Sequence, residues 1–240
     1  MFIKFKLFFS LILFYHLSFA QIDVLKNISN KANTLISSEK LHTDNDIANG
    51  LTQALKLSAV KSCKKASMVN GFLLNDNIKI PFPKEINHVK KACLKLGLSS
   101  LVSDFEIKMN KTAELVSNDA TEIIVEVVLS LRFKYALQIL NGDDNAATRY
   151  LRENSSKNLY SSFFPNVQKQ INNTGVQKKI DIILKKYNKI PLVKKVDFDL
   201  ANYITLKTID GIFYLISENE KEIRNNPKAR TTELLKKIFK

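Results

Sequence analysis

Five Arg stand against 32 Lys in this chain, so each guanidinium marks a position where a planar, multiply donating cation differs in kind from an ammonium. Arg149 lies in the segment Asn141-Gly142-Asp143-Asp144-Asn145-Ala146-Ala147-Thr148-Arg149-Tyr150. Arg224 and Arg230 lie in the segment running from Ile223 to Thr232. Asp210, between Ile209 and Gly211, is the lone acid in the most apolar stretch of the chain. Guanidinium groups pair with carboxylates and phosphates through two parallel hydrogen bonds. Arg149, Asp210, Arg224 and Arg230 are therefore read either as an anion pocket or as a buried ion-pair cluster. The second reading is favoured, with Asp210 paired to Arg149 or Arg230 and Gly211 giving room for close approach, because a stranded buried carboxylate is costly.

Other constellations are thin. His42 and His88 have no second ligand-type residue at zinc-site spacing, and no Gly-x-Ser-x-Gly elbow or adjacent Cys–His pair occurs. The six glycines are isolated, which removes the usual phosphate-cradling loops. Asp44-Asn45-Asp46 and Asp143-Asp144-Asn145 look like fragments of calcium loops but lack the remaining ligands, and capping explains them better. No catalytic residue, metal site or cofactor is assigned. Carboxylates far apart in sequence still leave a hydrolase open. Cys63 and Cys93 are a candidate disulfide, although Cys93 falls on its helix's apolar face and Cys63 at the edge of another.

The elements that must position these residues begin after a distinct leader. Lys4 and Lys6 precede an apolar run from Leu7 to Phe19, and Ser18-Phe19-Ala20 puts small residues at the −3 and −1 positions. That is the pattern of a secretory signal peptide with cleavage before Gln21. The run is short of the about 20 residues a membrane span needs, so the mature form is expected to have no transmembrane span. Losing Lys4 and Lys6 lowers the net charge from +14 to +12. A field of that sign favours anionic partners. The basic residues are scattered without an aromatic platform, which argues against nucleic acid.

Downstream, the period is helical. Ile22, Leu25, Ile28, Ala32, Leu35 and Ile36 predict a helix over 22–38, and a second is expected from Asp44 or Asp46 towards Val69. Gly71 to Pro83 breaks the pattern, with Ile80-Pro81-Phe82-Pro83 extended. Helix resumes to Gly97. From Ser99 a stripe through Leu101, Phe105, Met109, Val116, Ala120, Ile123, Val127 and Leu131 predicts two helices, broken at Ser117-Asn118-Asp119. A helix over 146–164 is expected to stop at Pro165, a shorter one to fill the space to Gly175, and another to cover 176–187. After an extended break at Ile190-Pro191-Leu192-Val193, Asp199 caps the most apolar helix, and Asn226-Pro227 opens the last.

Several of these segments resemble a bacterial family of exported proteins, domain of unknown function 4197. They are Gly71-Phe72 with Ile78-Lys79-Ile80-Pro81, Met109-Asn110-Lys111-Thr112-Ala113-Glu114, Ile139-Leu140-Asn141-Gly142 with Ala146 to Tyr150, Tyr187-Asn188-Lys189-Ile190-Pro191, Asp210-Gly211-Ile212-Phe213, and Arg224 to Thr232. They run in order over about residues 50–240. Tyr135 departs from the family pattern, which has an acidic residue there. The resemblance implies a helical envelope protein and brings no activity with it.

The sequence thus predicts a signal peptide over 1–20 and a single all-α domain over 21–240. That domain has about nine helices in orthogonal or bundle-like packing, with 21–45 as a candidate peripheral N-terminal helix. The expected role is a non-enzymatic binding or structural module of the periplasm or envelope, or a secreted one, with a basic surface. Its expected partner is an anionic envelope component or another envelope protein, and its oligomeric state is left open. The alternative is a hydrolase acting on an envelope polymer through dispersed carboxylates.

Overall fold

The computed structural model describes residues 43–240, and the leader and the helix expected over 22–38 lie outside them. Among the described residues there are eight α-helices and no strand. We number them α1 (Asp44–Ser67), α2 (Asn87–Lys95), α3 (Ser99–Ser130), α4 (Ala136–Leu140), α5 (Ala146–Thr174), α6 (Val176–Tyr187), α7 (Leu200–Asn225) and α8 (Glu233–Ile238). The protein is an all-α single domain.

Four long helices of 24, 32, 29 and 26 residues make the frame. α1 packs on α3, α3 on α5, α5 on α7 and α7 back on α1, a closed ring in the manner of a four-helix bundle. Small side chains make this approach possible. The buried stripe of α1 includes Gly50, Ala54, Ser58, Ala59, Ser62 and Ala66 beside Ile47, Leu51 and Leu55. α1 also has Asp44 and Asp46 in its first turn and Lys64 and Lys65 in its last, matching the helix dipole. The short helices brace the ring: α2 packs on α3 and α6, α6 also on α3, α4 on α1 and α5, and α8 on α1.

Local signals act where expected at several ends. Gly97 and Gly175 take the left-handed backbone, at φ of 72° and 66°, that separates α2 from α3 and α5 from α6. Asp199 accepts the Asn202 backbone N–H at 2.9 Å to cap α7.

Elsewhere tertiary packing overrides them. Ser117-Asn118-Asp119 does not break α3. Ser117 turns its hydroxyl back to the Ala113 carbonyl at 2.8 Å, Asn118 and Asp119 face outward, and buried Val116 and Ala120 keep the helix on the core. Pro165 does not end α5 either. It lies on the exposed face, as does Ser161 one turn earlier, whose carbonyl loses its amide partner where water can replace it. At the C-terminus Asn226-Pro227 opens only a short 3₁₀ turn, Pro227–Ala229, and Thr232 caps α8 separately.

Cys63 and Cys93 are both buried and both free, so the disulfide that sequence reading left open is not formed. Their surroundings differ: Cys63 meets Thr121 of α3, whereas Cys93 feels Lys186 of α6. Burial pushes both thiols up, Cys63 from 9.0 to about 11.

Candidate functional site

The four charged residues singled out by sequence divide between two places. Glu220, which sequence reading missed, organises the first. It is fully buried near the end of α7 and accepts the backbone N–H groups of Ala147 at 2.9 Å and Thr148 at 2.7 Å. The Thr148 hydroxyl donates to the same carboxylate at 2.6 Å. A carboxylate from α7 thus caps the N-terminus of α5, where Asn145 makes no side-chain cap of its own.

Arg224, one turn further along α7, neutralises Glu220 through Nε at 2.9 Å and Nη2 at 2.8 Å. Its remaining donors reach the Leu140 carbonyl at 2.6 Å and the Ile139 carbonyl at 3.0 Å, the last two residues of α4. Phe239 lies against the guanidinium at 5.4 Å. Arg230 donates to the Ile223 carbonyl at 3.0 Å and the Arg224 carbonyl at 2.7 Å, closing the C-terminus of α7. These two arginines therefore hold helix ends. Spacing offered a signal for the pair, since Glu220 and Arg224 are four residues apart on one helix face.

The expected pairing of Asp210 with Arg149 or Arg230 is corrected by the structure. The Asp210 side chain is 48% exposed and pairs with Arg152 and, at 3.9 Å, with Lys207. Arg149 pairs with exposed Asp143 at 3.1 Å. α7 buries its apolar residues on one side and presents Asp210 on the other, so composition alone overstated how deep that position lies. The close approach at Gly211 belongs to Phe72 and Ile78: a Cβ there would stand 2.7 Å from the Phe72 ring and 3.2 Å from Ile78.

Arg149 and Asp210 meet instead in a cleft of about 540 Å³ between the first turns of α5 and the middle of α7. Asn145 stands at the N-cap of α5, and Thr148, Arg149 and Arg152 follow it on one face, three, four and seven residues on. Lys207, Asp210, Tyr214 and Ser217 come from one face of α7 at three- to four-residue steps. The loop from Asn77 to Pro81 closes the third side, carrying Lys79. Four cations thus surround one carboxylate. Arg152 also lies over the Phe213 ring at 5.1 Å and Lys207 near the Tyr203 ring at 6.0 Å, contacts that orient their charged ends. Arg152 went unremarked in the sequence, although it follows Arg149 by three residues and shares its helix face.

The loop wall is held from below. Asn110, fully buried in α3, accepts the Ile80 N–H at 2.8 Å and donates to the Ile80 carbonyl at 2.9 Å, supplying both bonds that a neighbouring strand would. The Tyr203 hydroxyl donates to the Pro81 carbonyl at 3.0 Å. Burial, with Glu85 and Glu106 nearby, pushes that hydroxyl up to about 12, so it stays a donor at neutral pH.

Glu114, the other buried carboxylate among the described residues, receives the Leu73 N–H at 3.5 Å and Lys111 at 3.6 Å. Neither it nor Glu220 lines the cleft. Tyr135 is exposed at the N-cap of α4 and makes no side-chain capping bond. No helix among the described residues is long and apolar enough to cross a membrane.

The family model described as "Protein of unknown function (DUF4197)" matches residues 41–240. No curated protein and no solved structure matches the chain.

Proposed function

The chain belongs to this DUF4197 family of unknown function, and from its own geometry we propose that it is a non-enzymatic exported module that holds an anionic component of the cell envelope in the cleft between α5 and α7. The observation that carries the reading is the gathering of Lys79, Arg149, Arg152 and Lys207 around a single acid in one concave site. Arg224 and Arg230 are committed to helix ends, whereas the cleft cations remain open to solvent. Guanidinium groups there suit carboxylate or phosphate through paired hydrogen bonds. Export rests on the leader read at residues 1–20, and intact mass of protein from its host should begin at Gln21.

The test is calorimetric titration of the mature protein with inorganic phosphate and with short phosphate- and carboxylate-bearing polymers, over a range of salt. Binding should weaken as salt rises. It should be lost in the double variant Arg149→Gln/Arg152→Gln while the urea midpoint stays close to wild type. Equal binding by that variant would remove the cleft from the reading.

A further inference from the structure

The cleft is not isolated. A depression of about 340 Å³ adjoins it, sharing Asn77 and Tyr214 as a common wall. A third, of about 520 Å³, adjoins the second and shares Lys61, Asn219 and Glu222. Three segments advance in step through the series. α7 contributes residues 207–217 to the first, 214–222 to the second and 219–223 to the third. The loop after α1 recedes from Pro81 to Asn75 between the first and the second. α1 then recedes from Lys65 in the second to Leu57 in the third. The three depressions thus lie in series along α7 as one trench, walled by α5 and the loop at its first end and by α1 in the middle and at the far end.

Its chemistry changes along its length. The first end is cationic, as described above. The middle is polar, with the amides of Asn75, Asn77 and Asn219 between Lys65 and Glu218. The far end is apolar: Leu57 and Val60 are 37% and 41% exposed beside Ile223 and Ala229, with lysines at the rim. At 1.5 Å per residue, the α7 stretch from Lys207 to Ile223 is about 24 Å long. An extended chain covers that in about seven residues.

We infer that the trench holds an extended peptide segment of a partner protein, acidic at one end and apolar at the other. This rests on the reading of the cleft as an anion site and names the class of its ligand. The Asn219 amide N–H groups already donate to the Ser62 hydroxyl and the Leu215 carbonyl, so in the middle the Asn75 and Asn77 side-chain amides supply the donors and the Asn219 Oδ1 an acceptor for a peptide backbone. The apolar end then supplies side-chain anchors, as in other extended-peptide grooves. A lipid chain held at the cationic end would have to cross the polar middle to reach the apolar end. A uniform polyanion would leave the apolar end empty.

The experiment uses the mature protein and fluorescein-labelled seven-residue peptides read by anisotropy. One carries three acidic residues followed, after a polar spacer, by two leucines. A second replaces the leucines with serine, a third replaces the acids with their amides, and a fourth scrambles the order. The first should bind at least tenfold more tightly than the other three. Val60→Asp should weaken it about tenfold and leave the serine version unchanged, whereas Arg152→Gln should weaken both. Circular dichroism and the urea midpoint check that each variant folds.

Equal affinity for the ordered and scrambled peptides, or no effect of Val60→Asp, overturns the trench. If phosphate binds but no peptide does, the trench fails while the anion cleft stands. If neither binds, both fail. Val60-dependent pelleting with anionic vesicles would assign the apolar end to lipid, and a dimer dissociated by Val60→Asp would assign it to a second copy. Either result overturns the peptide.

Discussion

Arg224 Nε donates to Glu220 Oε1 at 2.9 Å, and the two side chains are 8% and 0% exposed. This single contact ties two helix ends to α7, because Glu220 caps the start of α5 and Arg224 caps the end of α4. The cleft depends on it indirectly: the start of α5, whose first two turns present Arg149 and Arg152, is held to α7 by the Glu220 carboxylate.

Glu220→Ala strands a buried guanidinium and leaves two amides at the start of α5 uncapped. A loss of about 3–5 kcal/mol is expected, measured from urea unfolding. Arg224→Ala should cost a similar amount, and the double variant less than the sum of the two. Arg224→Lys should not restore stability, since an ammonium cannot reach Glu220 and both carbonyls together.

Asp210 should behave in the opposite way. Its pairs with Arg152 and Lys207 are half exposed and screened by solvent, so Asp210→Asn should shift stability by less than about 1 kcal/mol. The same substitution removes the one carboxylate among the residues lining the cleft, Asp143 pairing with Arg149 from outside it. Phosphate should therefore bind more tightly to Asp210→Asn than to wild type, by calorimetry at low salt.

Gly211→Ala places a methyl into the Phe72 ring, with Ile78 behind it. Overpacking of this kind costs about 1–3 kcal/mol. Thermal unfolding should show the loss, and Phe72→Leu in the same chain should relieve part of it. The loop wall of the cleft rests on this contact, so anion binding should weaken as well.

The cysteines predict an alkaline weakness. Native protein should show no thiol reactive to a bulky disulfide reagent near neutral pH, and denatured protein should show two. Cys63 loses its proton at about 9.0 unfolded and about 11 folded. Between those values the unfolded state binds fewer protons than the native state, so stability falls as pH rises. The change approaches roughly 3 kcal/mol by the top of that window. Urea midpoints measured across it should drop less in Cys63→Ala.

The C-terminal helix should pack on its own protein. Leu235, Ile238 and Phe239 are buried, Ile238 fills the space over Gly50, and Lys237 pairs with Asp46 at 3.0 Å. Leu235→Ala is expected to cost about 2–5 kcal/mol. Pelleting with anionic vesicles, if measured, should be unchanged by deleting residues 233–240.

Helical class, the ends at Gly97 and Gly175 and the cap at Asp199 were legible in the sequence, because each depends on a residue and its near neighbours. A glycine that accepts positive φ, or an acid within reach of an amide three residues on, acts through local geometry alone. The continuity of α3 through Ser117 and of α5 through Pro165 was not legible. There the local preference to break is outweighed by buried residues one turn away and by the solvent available on the opposite face. Sequence also marked the arginines as unusual, from their scarcity beside lysine. Which of them would be buried was decided only in three dimensions. Arg224 lies where the ends of α4 and α5 meet α7, with one carboxylate, two carbonyls and an aromatic ring around it. Arg149 and Asp210 line a cleft that, among the described residues, leaves both side chains about half exposed, so water screens them.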